Sequence, residues 1–550
     1  MTQARAHKAD VCSRSFAVRV GAALFCLLVL LPLMGMFVAT FVGGADAIAE
    51  RWSFLQARVF DRLVNSLVLA GCATVLALLI GVPFAFAMHR SRFLGRGALG
   101  VAALVPLLIP PHIHAISWLR IVGNNGYLTA WFQDRGIEFD VRAGFLEIGN
   151  EATIYPGAIW MLTASFWPLI PLLMGAGFRQ LDAAREEAAL LQRGLWVSRL
   201  SVALPALSPF IVSGAFFVFL FSVGCYAIPS LLDTPTIMQE IWFPSNNVDV
   251  QTAAVVALPL VVLCLVGLAW VIITAERRNV RSGRGTTSPP RVLQPSSKGM
   301  GFFAWTVVLV TAGWPFLALL QEAGPPETYR AVWQNVQHPE TRNITNSCLL
   351  AGGAAILITV ASTLIAMAAR SGRRWRLVME GGALMSFAFP AIVVGVSVNM
   401  FWSQFQEVSF IDRWIYNGAW IGIFTWLALF LPFGVRSVSA ALDKVDPTLL
   451  EAAALTRRSR WCIFRRVLLP LIRPGVLSAM LLGFILSLGE LPAAMIVNPG
   501  RFQTAQVRIF NMIHFARDEE VAALCVMVIL IALIPLALFS LLSRKRLEVL

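Results

Sequence analysis

The chain is 550 residues long, 58% hydrophobic and only 13% charged, with a formal net charge of +14 and a mean hydropathy of +0.73. A soluble domain of this composition could not cover its surface with polar groups, so a soluble fold is excluded. The excess of Lys and Arg fits a face beside anionic lipid; with no nucleic-acid-binding module in view, no nucleic-acid partner is expected.

The elements are long apolar runs. A helix of about 20 residues crosses a hydrocarbon core of about 30 Å, and the first such run covers about 16–42. It follows Arg14 and Arg19 as a signal peptide would, but it is too long and lacks a small-residue cleavage site, so it reads as a membrane helix. Runs at about 63–88, 98–121, 154–177, 203–227 and 252–274 follow. The stretch 276–300, rich in Arg, Gly, Ser and Pro, cannot form a core and reads as a linker. Six more runs lie at about 302–320, 346–369, 381–402, 416–435, 472–489 and 521–543. They are continuous rather than alternating, which excludes a porin-like barrel. The expected fold is an all-α polytopic membrane protein of about twelve transmembrane helices.

Charge sets the expected orientation. With the N-terminus in the cytoplasm, the inner segments hold 32 of the 44 Lys and Arg, including Arg457, Arg458, Arg460, Arg465 and Arg466. That is the positive-inside pattern, and it places both termini in the cytoplasm.

The runs come as two copies of one six-helix unit. Residues 65–71 read NSLVLAG and 346–352 read NSCLLAG; Pro110 matches Pro390. The expected halves are 1–275, with a core at about 61–274, and 301–550, with a core at about 343–543, joined by the linker 276–300. Both copies carry a polar element between apolar runs. One reads EEAALLQRGLWVSRLSVALP from Glu186 to Pro205, the other EAAALTRRSRWCIFRRVLLP from Glu451 to Pro470. In the second, Asp446 can cap the helix and Pro447 suits its first position; Asp182 is the corresponding cap in the first. The alanines Ala452, Ala453 and Ala454, like Ala188 and Ala189, keep one side thin enough to lie in a partner's groove. Trp196 and Trp461 are expected at the lipid interface. The register of the first element is open: Pro168 and Asp182 upstream favour Glu187 as the match of Glu451, whereas Trp196 and Pro205 downstream favour Glu186.

These elements resemble the cytoplasmic Glu-Ala-Ala signature of the integral membrane permeases of binding-protein-dependent ABC importers. The resemblance covers both halves. It implies the type I importer permease fold, with a coupling helix in each half seated on one of two ATP-hydrolysing subunits, in a bacterial inner membrane. The residues it singles out are Glu186, Glu187, Ala188, Ala189, Gly194, Glu451, Ala452, Ala453 and Arg457. The family's glycine six residues after the glutamate is absent: Gln192 follows Glu186 at that distance and Arg457 follows Glu451, with Gly194 nearby in the first copy. The text GELPAAMIVNPGRFQTAQVRIF, Gly489 to Phe510, looks most like the ferric-ion permeases, whose relatives carry thiamine, phosphonates, sugar phosphates or polyamines. The resemblance further implies a periplasmic or extracellular substrate-binding protein and, because the copies are fused, one chain per transporter.

Candidate path residues are Glu490 at the end of the eleventh run, Tyr226 in the corresponding region of copy one, and His112 and His114 after Pro110-Pro111. Two His at i and i+2 share no helical face, so they read as path-lining or hydrogen-bonded residues. The eight cysteines show no C-x-x-C pair and read as small buried hydrophobes. No P-loop, H-E-x-x-H or G-x-S-x-G occurs, so no cofactor is expected and ATP hydrolysis is assigned to a partner. An ion-driven secondary transporter is the rival class; it would need no paired docking helices and would carry more ionisable groups at mid-membrane.

Overall fold

The computed structural model describes residues 20–40, 59–136, 146–181, 198–279, 298–338, 342–455, 459–497 and 502–542, apart from 24, 124–125, 149–151, 247–249, 387–388 and 514; it also describes Glu186, Ala188, Ala189 and Leu191. The linker positions 280–297 lie outside this set, as do Asp182, Glu187, Gly194, Trp196 and Arg457.

Among the described residues, eight helices are long and apolar enough to cross a membrane, nine if one bent pair counts as a single span. In chain order the elements used below are α1 (Leu31–Thr40), α2 (Phe60–Arg90), α3 (Arg96–Leu108), α4 (Pro111–Val122), α5 (Pro156–Phe178), α6 (Arg199–Val223), α7 (Val250–Asn279), α8 (Lys298–Ala323), α9 (Asn343–Ala369), α10 (Ala391–Ser403), α11 (Trp420–Leu442), α12 (Pro447–Leu455), α13 (Trp461–Leu488), α14 (Pro492–Val497) and α15 (Asp518–Leu542). In lipid every backbone amide and carbonyl must be paired within the segment, which is why these apolar runs are helices. One short departure from all-helix lies in the long loop before α5, where β1 (Leu146–Ile148) pairs antiparallel with β2 (Ala152–Ile154).

Two of the twelve expected spans are interrupted. The run at 98–121 breaks at Pro110-Pro111, where α3 with the segment from Pro111 forms the pair bent by 99°. The run at 381–402 breaks at Pro390, and only the 13-residue α10 follows. Pro110 and Pro390 have nearly the same backbone, φ −54° and ψ 140° against φ −56° and ψ 150°. Proline has no amide to donate and disfavours helix in the residue before it, so the chain turns at both places. The first run is also short, an apolar helix over Val20–Met36.

Proline shapes the long helices in a second way. Four π-turns, Cys26–Leu30, Arg199–Ala203, Leu309–Gly313 and Phe464–Leu468, each end two residues before a proline: Pro32, Pro205, Pro315 and Pro470. Widening the turn relieves the clash between the proline ring and the carbonyl four residues earlier.

The described chain forms two compact units. One holds Met1–Trp52, Ile241–Ala257 and Trp333–Asn511; the other holds Ser53–Glu240, Leu258–Val332 and Met512–Leu550. Packing therefore divides the chain differently from the sequence repeat. In the first unit α1 packs on α10, with Ser397 Oγ 2.9 Å from Met36 Sδ, and the core gathers Ile358, Trp426, Leu427 and Val394. In the second, α8 packs on α4 and α15, and the core gathers Phe84, Trp167, Ile170 and Phe178. The most buried span of each unit is α11 and α5 respectively, 67% buried in both cases.

The repeated NS letters do the same work in each unit. Ser66 Oγ accepts the amide of Ile237 at 2.9 Å, and Ser347 Oγ accepts the amide of Ala505 at 2.8 Å. Each of those amides opens a helix, Ile237–Asn246 and Ala505–Met512, and a helix N-terminus in an apolar interior needs such an acceptor.

Candidate coupling elements and translocation path

The first Glu-Ala-Ala element follows α5 and precedes α6. Glu186 is buried, 4% exposed, although a glutamate in a polar segment is ordinarily outside. Its carboxylate accepts from Arg90 Nε at 2.8 Å and from Arg90 Nη2 at 2.7 Å, a bidentate pair between two buried side chains. Arg90 is the last residue of α2, where a cation meets the negative end of the helix dipole. Its guanidinium also lies 4.8 Å over the Phe178 ring at the end of α5. Ser198 Oγ donates to the Glu186 carbonyl at 3.1 Å, so the start of α6 is tied to the same residue. Ala188 is exposed, Ala189 half-buried and Leu191 87% exposed.

The second element is α12. Asp446 caps it, accepting the Thr448 amide at 2.9 Å, and that hydrogen bond holds its carboxyl below the ordinary carboxylate range. Glu451 and Ala452 are exposed, Ala453 is half-buried and Leu455 is 81% exposed. Leu450 packs against a cluster containing Val438, Leu442, Val445 and Leu468. Trp461 is exposed and stacks on Phe464 at 5.5 Å. Glu187, Gly194 and Arg457 lie outside the described residues.

His112 and His114 both sit in the first turn of α4 and are buried. His114 Nε2 is 2.9 Å from the Thr311 carbonyl, which can only accept, so that nitrogen carries the proton. The residue four after Thr311 is Pro315, so this carbonyl lacks the amide that would ordinarily pair with it, and the histidine replaces it. Trp167 Nε1 donates to Thr311 Oγ1 at 3.2 Å. Tyr226 is buried at the start of the short helix Ala227–Leu231. Glu490 occupies the equivalent place before α14, where its Oε1 accepts the Ala493 amide at 2.8 Å. It is a helix cap. Charges also gather around Arg120, which pairs with Asp518 and, at 3.6 Å, with Glu322, which in turn accepts from Tyr127 Oη at 2.9 Å.

Sequence reasoning missed Arg90, Ser66, Ser347 and Thr311. A signal existed for two of them, the repeated NS letters; nothing in a single sequence joins Arg90 to a residue 96 positions away.

Broken spans, paired polar elements and a twofold repeat of helical segments mark the chain as a polytopic helical membrane protein. Residues 358–548 match the family described as the inner membrane component of binding-protein-dependent transport systems, and the second half of the chain carries that domain. Over 504 residues the chain is 23% identical to the Fe(3+)-transport system permease protein FbpB 2 of Haemophilus influenzae, covering 88% of this chain and 90% of that one. It is 21% identical to the ferric transport system permease protein FbpB of Actinobacillus pleuropneumoniae, covering 88% and 71%. A molybdenum transport system permease protein, ModB of Haemophilus influenzae, is 29% identical over 191 residues, 32% of this chain and 81% of its own length.

Proposed function

We propose that this chain is the translocation subunit of an ATP-driven importer of ferric iron. The observation that carries the reading is the likeness to ferric permeases across 88% of the chain, through both copies; the molybdenum permease matches only about a third of it. The two repeats, 1–275 and 301–550 with the linker 276–300, both contribute to the translocation path. The chain itself is not catalytic. Two ATPase subunits seat on the first Glu-Ala-Ala element and on α12, on the cytoplasmic face of a bacterial inner membrane, with both termini on that side. A periplasmic binding protein delivers cargo to the opposite face. There the sequence is acidic: 122–153 holds Asp134, Glu138, Asp140, Glu147 and Glu151 with Arg135 and Arg142, and 228–251 holds Asp233, Glu240 and Asp249, of which Glu240 pairs with Arg62 at 3.4 Å. Such a mouth attracts cations and repels anions. ATP-driven closure of the partner dimer moves both elements and switches access from one side to the other.

Uptake of radiolabelled iron, thiamine and a phosphonate by cells carrying the whole system tests the cargo. Iron uptake that stops when the chain is deleted is expected; thiamine or phosphonate uptake without iron overturns the cargo. Co-purification tests the class: an ATPase subunit retained with the tagged chain is expected, and transport that persists without any ATPase refutes it in favour of an ion-driven carrier.

A further inference from the structure

The two Glu-Ala-Ala elements can be matched by exposure instead of by letters. Ala188 and Ala452 are both exposed, Ala189 and Ala453 both half-buried, and Leu191 and Leu455 stand out at 87% and 81%. The constant offset is 264 residues, the same that joins Pro168 to Pro432 in α5 and α11. In that register Glu187 corresponds to Glu451, and Glu186 corresponds to Leu450. Leu450 is the residue that faces inward in the second copy, packed on the Val438, Leu442, Val445 and Leu468 cluster. Glu186 is the buried residue of the first, closed on Arg90. The Arg-Ser pair at 90–91 recurs at 370–371, yet Arg370 is exposed.

Among the described residues, Glu186 and Leu450 thus fasten the two elements to their helices, and the two copies use different chemistry. We infer that Arg90 and Glu186 are a positioning pair that fixes the first coupling element to the end of α2, and that Glu187 is the glutamate offered to the ATPase. This rests on the importer reading. The physical grounds are directness and cost. A carboxylate that is 4% exposed, with both oxygens on a buried guanidinium, presents almost no surface to a partner. Removing Glu186 leaves Arg90 as a buried charge without its carboxylate, so the pair holds together while the element moves. A bidentate pair also fixes orientation, so motion of the element passes to α2 as a rigid step. An apolar contact such as that of Leu450 is non-directional.

The test uses the full chain co-expressed with its ATPase and binding-protein partners. Three variants are compared with wild type: Glu187→Lys, Glu186→Gln, and the apolar pair Arg90→Met with Glu186→Leu. The readouts are chain in the membrane, ATPase retained per chain, and cargo imported per ATP hydrolysed. Glu187→Lys is expected to lower ATPase retention about tenfold at normal insertion, as one lost charge contact does at an interface. Glu186→Gln is expected to lower cargo imported per ATP. The apolar pair is expected to restore ATPase retention to within about twofold of wild type, because replacing a buried ion pair by apolar groups is often neutral, while cargo imported per ATP stays low, because an apolar contact fixes no direction. If Glu186→Gln fails to insert, the apolar pair and Glu187→Lys decide alone. An apolar pair that inserts but loses its ATPase shows that Glu186 is a partner contact and overturns the inference, as does full retention in Glu187→Lys. Wild-type chain that retains no ATPase sinks the importer reading, and this inference with it.

Discussion

Gly475 lies on α13 where that helix meets α11, and it is buried. A methyl group added there would sit 2.5 Å from Ala441 Cβ and 2.7 Å from the Ser437 carbonyl oxygen. Carbon atoms rest at about 3.5–4.0 Å, so the helices must part by about 1 Å. Neither neighbour can step aside, since one is a methyl on a helix and the other is backbone. Overpacking of this kind costs about 1–3 kcal/mol. Alanine recovers up to about 1 kcal/mol of helix propensity, so Gly475→Ala should be destabilising by up to about 2 kcal/mol. Gly352→Ala on α9 is the control: nothing lies within 4 Å of its added methyl, and the propensity gain of about 0.5–1 kcal/mol should show alone. Thermal loss of the monodisperse peak of detergent-purified chain ranks them, with Gly352→Ala at or above wild type and Gly475→Ala below. The consequence reaches function, because α12 hangs between α11 and α13. ATPase retention should fall in Gly475→Ala and not in Gly352→Ala. If Gly475→Ala is as stable as Gly352→Ala, the close approach does not hold these helices together.

Two further outcomes follow from single hydrogen bonds. His114→Leu should destabilise the chain by about 0.6–2 kcal/mol, since it orphans the Thr311 carbonyl in an apolar setting. The loss should shrink when Pro315→Ala returns an amide four residues on, and equal losses in both backgrounds would refute the exchange of donors. Glu490→Ala should lower stability by about 1 kcal/mol through loss of the α14 cap, while Glu490→Gln keeps an acceptor oxygen and should keep iron uptake. Uptake abolished by the glutamine would show that the charge, not the cap, matters.

The long spans and the repeat were legible because each is written locally. An apolar run of about 20 residues needs no partner to be recognised, and NSLVLAG beside NSCLLAG is visible by eye. What each proline does was not. Pro83, Pro209, Pro259, Pro432, Pro474 and Pro535 all remain inside helices, whereas Pro110 and Pro390 end them. The letter is the same, and the outcome depends on whether neighbouring helices re-pair the carbonyl that proline leaves unmatched. At Thr311 that neighbour is a histidine 197 positions away. The Arg90–Glu186 pair was hidden for the same reason, and its burial turns an apparent surface glutamate into an interior one.

The two copies keep the positions of their contacts and exchange the chemistry that makes them. Gly475 on α13 faces Ala441 on α11. At the matching place in the first copy the glycine is on the other helix: Gly177 of α5 receives Phe210 of α6, whose ring carbon would lie 2.5 Å from an added methyl. The helices approach closely in both, but the small residue has changed sides. The inward residue of the polar element behaves likewise, a leucine on an apolar cluster in one copy and a glutamate on an arginine in the other. Letters alone leave the register open at this point, with Glu186 or Glu187 against Glu451. The equal 19-residue spacing from Glu186 and Glu451 to Pro205 and Pro470 pairs a buried tether with an exposed glutamate. Matching substitutions at Glu186 and Glu451 then perturb different things: the first breaks a fastening inside the permease, and the second removes a charge from its surface.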